Sequence, residues 1–254
     1  VLEKIEDKIY FEREGISNSF LTRFERSPAH AFTEIEKTKS MEIGSLIHDF
    51  ILQYKIFDAK YEITPEDIQD ARKTEYKDFA KEHEGKKIIK YDDFEKAKII
   101  KDNILNFDFG FQLKNILDID FCEIGCFVED PEFNLLRKSK MDLYFPDFNL
   151  IIDLKKTDDC TAFKKSIINY KYYRQDAWYS DNIFQEVREW PRFIFLTFEN
   201  TPPFGVMAYE ISQEWKDYGK VVNDKTLLDY TLWDGEKRAY PDGIVLLEKP
   251  DWLK

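Results

Sequence analysis

The stretch NLIIDLKKTDD, residues 149–159, is built like a buried strand but carries a carboxylate at Asp153 and an ammonium at Lys155. Alternation along a strand puts Ile151, Asp153 and Lys155 on one face and Ile152 and Leu154 on the other. The preceding segment SKMDLYF leads into PDFN, and a hairpin centred between Asp147 and Phe148 sets Asp142 opposite Asp153. Opposed side chains on one face lie about 4.5 to 5.5 Å apart at Cβ, where like charges destabilise. A divalent cation would remove that repulsion, since two carboxylates offer hard oxygen ligands. On this reading, neutralising Asp142 leaves the metal-free protein intact or more heat-stable. Taken alone, Asp153 and Lys155 also read as a structural ion pair.

Outward from this hairpin, the second half of the chain has strand character. The segments IDFCEIGCFVE, LLRKSKMDLYF, NLIIDLK, RFIFLTFE and FGVMAYEI are short, aromatic and β-branched, with Pro, Asn and Asp turn signals between them. A helical stretch at 161–186 separates the third from the fourth, the order of an α/β domain with a mixed sheet. Residues 1–118 read as mainly helical. ISNSFLTRFERSPAHAF (16–32) starts with a cap at Ser17 or Asn18 and breaks at Ser27-Pro28. MEIGSLIHDFILQY (41–54) lines Ile43, Leu46, Ile47, Phe50, Ile51 and Tyr54 on one stripe. Residues 65–117 are charge-rich, helical in pattern, and expected to cover a face of the core. With no repeat or low-complexity linker, residues 1–254 read as one domain, its sheet-bearing core at 119–254.

With 254 residues, 43% hydrophobic and 16% aromatic, the chain can bury a substantial core. No apolar run approaches the roughly 18 to 20 residues of a membrane span, and the N-terminus has no signal-like block. Three cysteines, Cys122, Cys126 and Cys160, make no disulfide framework, so a reducing, cytoplasmic setting is expected. A net charge of −12 opposes nucleic-acid binding unless positive charge is placed locally. KSIINYKYYRQ (165–175) is one such place, with Lys165, Lys171 and Arg174 among tyrosines, although the same pattern fits a solvated helix face.

Two helices bring further candidates. His48 sits at the border of its apolar stripe with Gly44 one turn before it, so that the imidazole would emerge beside a close-packed neighbour. Ile168, Tyr172, Gln175 and Tyr179 are spaced along one helix face, and a glutamine in such a stripe needs hydrogen-bond partners if buried.

His48 in GSLIHDF, Asp142 in KSKMD, Asp153 and Lys155 in IIDLK, then Gln175 and Tyr179 in QDAWY resemble the ordered motifs of the RecB-like branch of the PD-(D/E)XK nuclease superfamily. The segment at 16–32 and the tail LWDGEKRAYPDGIVLLEKPDW (232–252) are similar to those of RecE-type exonucleases, the exonuclease VIII type; residues 55–118 match poorly. The resemblance implies a restriction-endonuclease-like core, a central mixed β-sheet flanked by α-helices. It implies Mg²⁺ or Mn²⁺ held by His48, Asp142, Asp153 and the Leu154 carbonyl, Lys155 at the attacking water, Gln175 and Tyr179 on the DNA strand, and Arg23 at a terminal phosphate. Glu123 is a further acidic candidate. The implied activity is exonucleolytic hydrolysis of linear duplex DNA, 5′ to 3′, in recombination or repair. An endonuclease of the same superfamily and a catalytically silent DNA-binding module are the alternatives. Implied partners are duplex ends, a single-strand annealing protein and further copies in a ring. Two positions depart from the pattern: Lys156 stands where threonine is usual, and Lys140 where arginine is usual. Three cysteines are too few for the four-cysteine iron–sulfur cluster of some relatives, so none is expected.

Overall fold

The computed structural model describes residues 1–34, 39–240, 242–244 and 246–249, the side chains of 39–43 excepted. The side chain of Ile43 of the expected stripe, and parts of the tail motif at 241, 245 and 250–252, therefore lie outside what is described. The strands are β1 (Leu2–Lys4), β2 (Ile16–Ser17), β3 (Tyr61–Ile63), β4 (Lys87–Ile89), β5 (Cys122–Asp130), β6 (Leu135–Phe145), β7 (Leu150–Thr157), β8 (Arg192–Glu199) and β9 (Val206–Tyr209). The helices are α1 (Asp7–Glu12), α2 (Asn18–Arg26), α3 (Pro28–Phe32), α4 (Lys39–Leu52), α5 (Phe57–Lys60), α6 (Thr74–Glu82), α7 (Tyr91–Asn106), α8 (Phe163–Asn169), α9 (Tyr172–Val187) and α10 (Gln213–Thr231).

Among the described residues, seven strands form one mixed sheet in the order β1-β5-β6-β7-β8-β9, with β2 added to β6. β5, β6 and β7 form an antiparallel meander, while β7 and β8 run parallel across the α8–α9 connection. That is a βαβ unit, whose crossover helices cover one face of the sheet. β7 and β8 are covered on both faces, which is why β8 and the first half of β7 read as nearly unbroken apolar runs. On one face, Leu46, Ile47 and Ile51 of α4 and Ile100 and Ile104 of α7 pack on Leu143, Ile152, Leu154 and Leu196. On the other, Ile167 of α8 and Ile183 of α9 pack on Ile151, Phe193 and Phe195.

The central α/β architecture is the one expected, with differences at its margins. β1 and β2, from the part read as mainly helical, extend the sheet; β3, just before the charge-rich segment, and β4, inside it, form a separate parallel pair. Strands of two or three residues carry too little alternation to be read and exist through their partners. The helix expected over 161–186 is two helices, interrupted where Lys171 adopts φ 57° and ψ 39°. That break takes Ile168 off the buried stripe, and half of its surface is exposed. At the N-terminus, the Ser17 hydroxyl accepts the Phe20 N–H as the cap of α2, and Ser27 ends α2 and caps α3.

Candidate active site

The β6–β7 ladder pairs Phe145 with Leu150, Tyr144 with Ile151 and Leu143 with Ile152, the register expected from the hairpin. The next step would pair Asp142 with Asp153, and there the backbone ladder ends. The Leu154 N–H instead donates to Asp142 Oδ2 at 2.7 Å, so the carboxylate takes the place of a main-chain acceptor. Where the two strands part, α4 reaches the gap. His48 Nε2 lies 3.1 Å from the Leu154 carbonyl oxygen, and His48 Nδ1 lies 3.6 Å from Asp142 Oδ1.

Asp153 is 2% exposed. The Gln175 amide of α9 donates to its Oδ1, and Lys155 Nζ faces its Oδ2 at 2.5 Å, an ion contact whose angles fall outside hydrogen-bond geometry. The Lys155 ammonium also lies 4.7 Å from the centre of the Tyr172 ring. α9 is fixed in register by buried polar contacts: Trp178 Nε1 donates to the Lys138 carbonyl, and Arg137 of β6 pairs with Asp130 and with Asp181 of α9. Tyr179, one turn beyond Gln175, lines a cleft of about 470 Å³ shared with His48, Asp142, Glu123 and Lys140.

The two carboxylates differ electrostatically. Burial raises Asp153 to about 6 despite Lys155, with Asp142 adding to the rise. Burial also acts on Asp142, but the charge and hydrogen bond of His48, then Lys155 and the Leu154 N–H, hold it below the ordinary carboxylate value. His48 is correspondingly raised: burial disfavours its cation, and Asp142 more than compensates. Lys155 is raised as well, its burial outweighed by Asp153, so it is an ammonium at neutral pH. The tension of the paired carboxylates thus falls on Asp153 and not on Asp142, against the expectation that neutralising Asp142 leaves stability intact or improved.

His48, Asp142, Asp153, Leu154, Lys155, Gln175 and Tyr179 come together; Arg23 does not. Its guanidinium bonds the carbonyls of Ser19 and Thr33, and it does not line the cleft. Glu123 and Lys140 form an ion pair at the cleft edge that also includes Asp7, with Glu123 at φ 60°. Gly44 lines the cleft, but a Cβ there would meet nothing within 4 Å, so His48 emerges beside open space and not a close-packed neighbour. The positive charge expected at 165–175 is largely used internally. Arg174 is fully buried on Glu25, Asn223 and Thr226, and Lys171 also pairs with Glu25. Sequence reading missed Lys60 at the end of α5 and Lys87 at the start of β4, which enter the cleft, and Tyr172 beside Lys155. The two lysines lie in the segment without recognisable motifs, and Tyr172 follows the pattern of an ordinary apolar stripe.

Over residues 17–229 the chain matches the family described as a PDDEXK-like domain of unknown function, DUF3799. It belongs to that family. A search of the curated proteins found no match. Among solved structures, the crystal structure of a "Putative exonuclease" from Eubacterium rectale is similar, with a TM-score of 0.66 over 97% of this chain and 96% of that one, at 17% identity. At that identity the likeness shows the fold. The family places this DUF3799 chain in the PD-(D/E)XK nuclease superfamily, whose members generally use divalent metal ions.

The donors of this DUF3799 site suit such an ion in kind: carboxylate, imidazole and carbonyl oxygen. In the arrangement described, they close on one another, and no three His, Cys, Asp or Glu side chains among the described residues form a ready cage. Among the described residues no helix is long and apolar enough to cross a membrane.

Proposed function

We propose that the chain is a divalent-metal-dependent DNA exonuclease of the RecE type, degrading linear duplex from a 5′ end in recombination or repair. The observation that supports this reading best is the parting of β6 and β7 at Asp142 and Asp153. It gathers two carboxylates, a carbonyl, an imidazole and an ammonium, with His48 and Asp142 at the wall of the cleft and Asp153 and Lys155 behind them. Asp142, Asp153, His48 and the Leu154 carbonyl would hold Mg²⁺ or Mn²⁺. When bound, the ion lowers the pKa of a water and neutralises phosphoryl charge.

The chain's own groups account for the rest. Lys155, kept charged by Asp153, orients the water and offers a cation to a phosphoryl oxygen as the P–O3′ bond breaks. Gln175 holds the Asp153 carboxylate in place from α9. Tyr179, Lys60 and Lys87 line the path of the DNA strand; Lys60 is paired with Asp49, so Lys87 supplies part of the local positive charge that a protein of net charge −12 needs.

A time course on linear duplex labelled at either end, beside a closed circle, tests the reading with Mg²⁺, Mn²⁺ and EDTA. Early release of the 5′ label, late release of the 3′ label, an intact circle and no reaction in EDTA are expected. Cutting of the circle would make the enzyme an endonuclease. Absence of cleavage with either ion would leave a silent binding module.

A further inference from the structure

KSIINYKYYRQ, whose Lys171 and Arg174 are taken up by Glu25, keeps one feature at the reactive lysine: the ring of Tyr172 against the Lys155 ammonium. A lysine side chain is a flexible four-carbon stem ending in a point charge, so a fixed ammonium needs fixed partners. Asp153 supplies one at 2.5 Å, and the Tyr172 ring supplies a second at 4.7 Å. That ring is itself held. It stacks on Phe163 and Phe195, each with centroids 5.8 Å away, and both of those rings are buried to within 1%. Phe195 is the β8 partner of Asp153 in the parallel ladder, so one strand pair carries both the carboxylate and the ring's support. The left-handed Lys171 starts α9 at Tyr172 and turns this ring onto the sheet. Among the described residues no hydrogen bond engages the Tyr172 hydroxyl, so the ring face makes the contact.

We propose that Tyr172 is a positioning residue for Lys155: its ring face seats the ammonium beside Asp153, and without the ring cleavage slows while DNA-end binding persists. This inference rests on the nuclease reading given above. The full chain and its Tyr172→Phe and Tyr172→Leu variants are compared for kcat and KM on linear duplex. Tyr172→Phe keeps the π face and should stay within about twofold of wild type. Tyr172→Leu keeps apolar bulk but no π face, and should lose about ten- to thirty-fold in kcat with KM within about twofold. A second readout needs no catalysis: ring current should shift the Lys155 side-chain methylene protons upfield in wild type and Tyr172→Phe. Tyr172→Leu should return them to the ordinary lysine position, with Lys155→Ala used for assignment.

Wild-type kcat in Tyr172→Leu, a rate loss of equal size in Tyr172→Phe, or unshifted Lys155 methylenes in the wild-type chain would each overturn the inference. The last of these holds even if Tyr172→Leu does not fold. A wild-type chain that cleaves no DNA sinks the nuclease reading instead and takes the rate claim with it, whatever the methylene shifts show.

Discussion

Gln175→Ala separates a residue that touches DNA from one that holds a buried carboxylate. The Gln175 amide donates to Asp153 Oδ1, and Asp153 is 2% exposed with Lys155 on its other oxygen. Truncation removes a hydrogen bond to a charged group and leaves a buried carboxylate oxygen short of a donor. Bonds of that kind contribute about 1.5 to 3 kcal/mol net. For a chain of this size each kcal/mol moves the melting temperature by about 2 to 4 °C, so a fall on the order of 3 to 12 °C follows. The deficit depends on pH with a definite sign. Burial, opposed by Lys155, lifts Asp153 to about 6. Above that pH the lost bond is to an anion, and below it the bond is to a neutral carboxyl, worth about 1 kcal/mol.

Thermal unfolding in EDTA at pH 7.5 and pH 5, together with cleavage of linear duplex, measures both effects. Gln175→Ala should melt lower at pH 7.5, recover part of the difference at pH 5, and lose activity in the folded fraction. An unchanged melting temperature at pH 7.5 with lost activity would refute the assignment of Gln175 to Asp153 and return it to the DNA strand.

Asp142 is held below its ordinary value against burial, chiefly by His48, so its charge contributes stability above about pH 4 that is lost as pH falls through its folded-state value. Asp142→Asn should therefore lower the melting temperature in EDTA at pH 7 while abolishing cleavage; a rise would restore the simple repulsion picture. Asp176 of α9 behaves oppositely: burial, opposed by Lys216, raises it from 3.8 to about 6. Its ionisation opposes folding increasingly from about pH 4 to pH 6, so calorimetry at pH 7.5 should show Asp176→Asn stabilised by up to about 3 kcal/mol, with little gain at pH 4. For Lys87, which lines the cleft and has no carboxylate partner among the described residues, replacement by alanine should weaken duplex binding. Titrations over a salt series should show a slope about 0.9 shallower, and Lys225→Ala on α10 should leave the slope unchanged.

Much of the site's frame was legible because two short-range rules act there. Side-chain alternation and the turn at PDFN set the β6–β7 register, and the ladder follows it up to Leu143 and Ile152. The end of the ladder one step later was not legible. It depends on the Leu154 N–H preferring a carboxylate to a carbonyl, and on a helix more than a hundred residues away filling the gap. The break at Lys171 was hidden for another reason: a left-handed backbone usually announces itself with Gly or Asn, and here a lysine adopts it. That single residue separates Ile168, half exposed, from Tyr172 beside Lys155. Arg174 misled for want of tertiary information, since its partners Glu25, Asn223 and Thr226 lie on α2 and α10.

The contrast between Asp153 and Asp176 shows which observation carries functional weight. Both are buried carboxylates raised to about 6, so perturbed acidity does not distinguish them. Their neighbours do. Asp176 accepts from Ser180 one turn on and faces Lys216 at 3.5 Å, both at Oδ1, so its contacts only fasten α9 to α10 and within α9. Asp153 meets groups from α4, β6 and α9 at once, with a main-chain carbonyl and an ammonium beside it. A fold gains nothing in packing from gathering so many polar groups at a parting of strands, and such a local conflict persists where the group has work to do. It follows that Asp176→Asn should gain stability and keep cleaving, while Asp153→Asn should lose cleavage whatever its melting temperature. If both variants kept activity, the parting of β6 and β7 would be a feature of the fold alone.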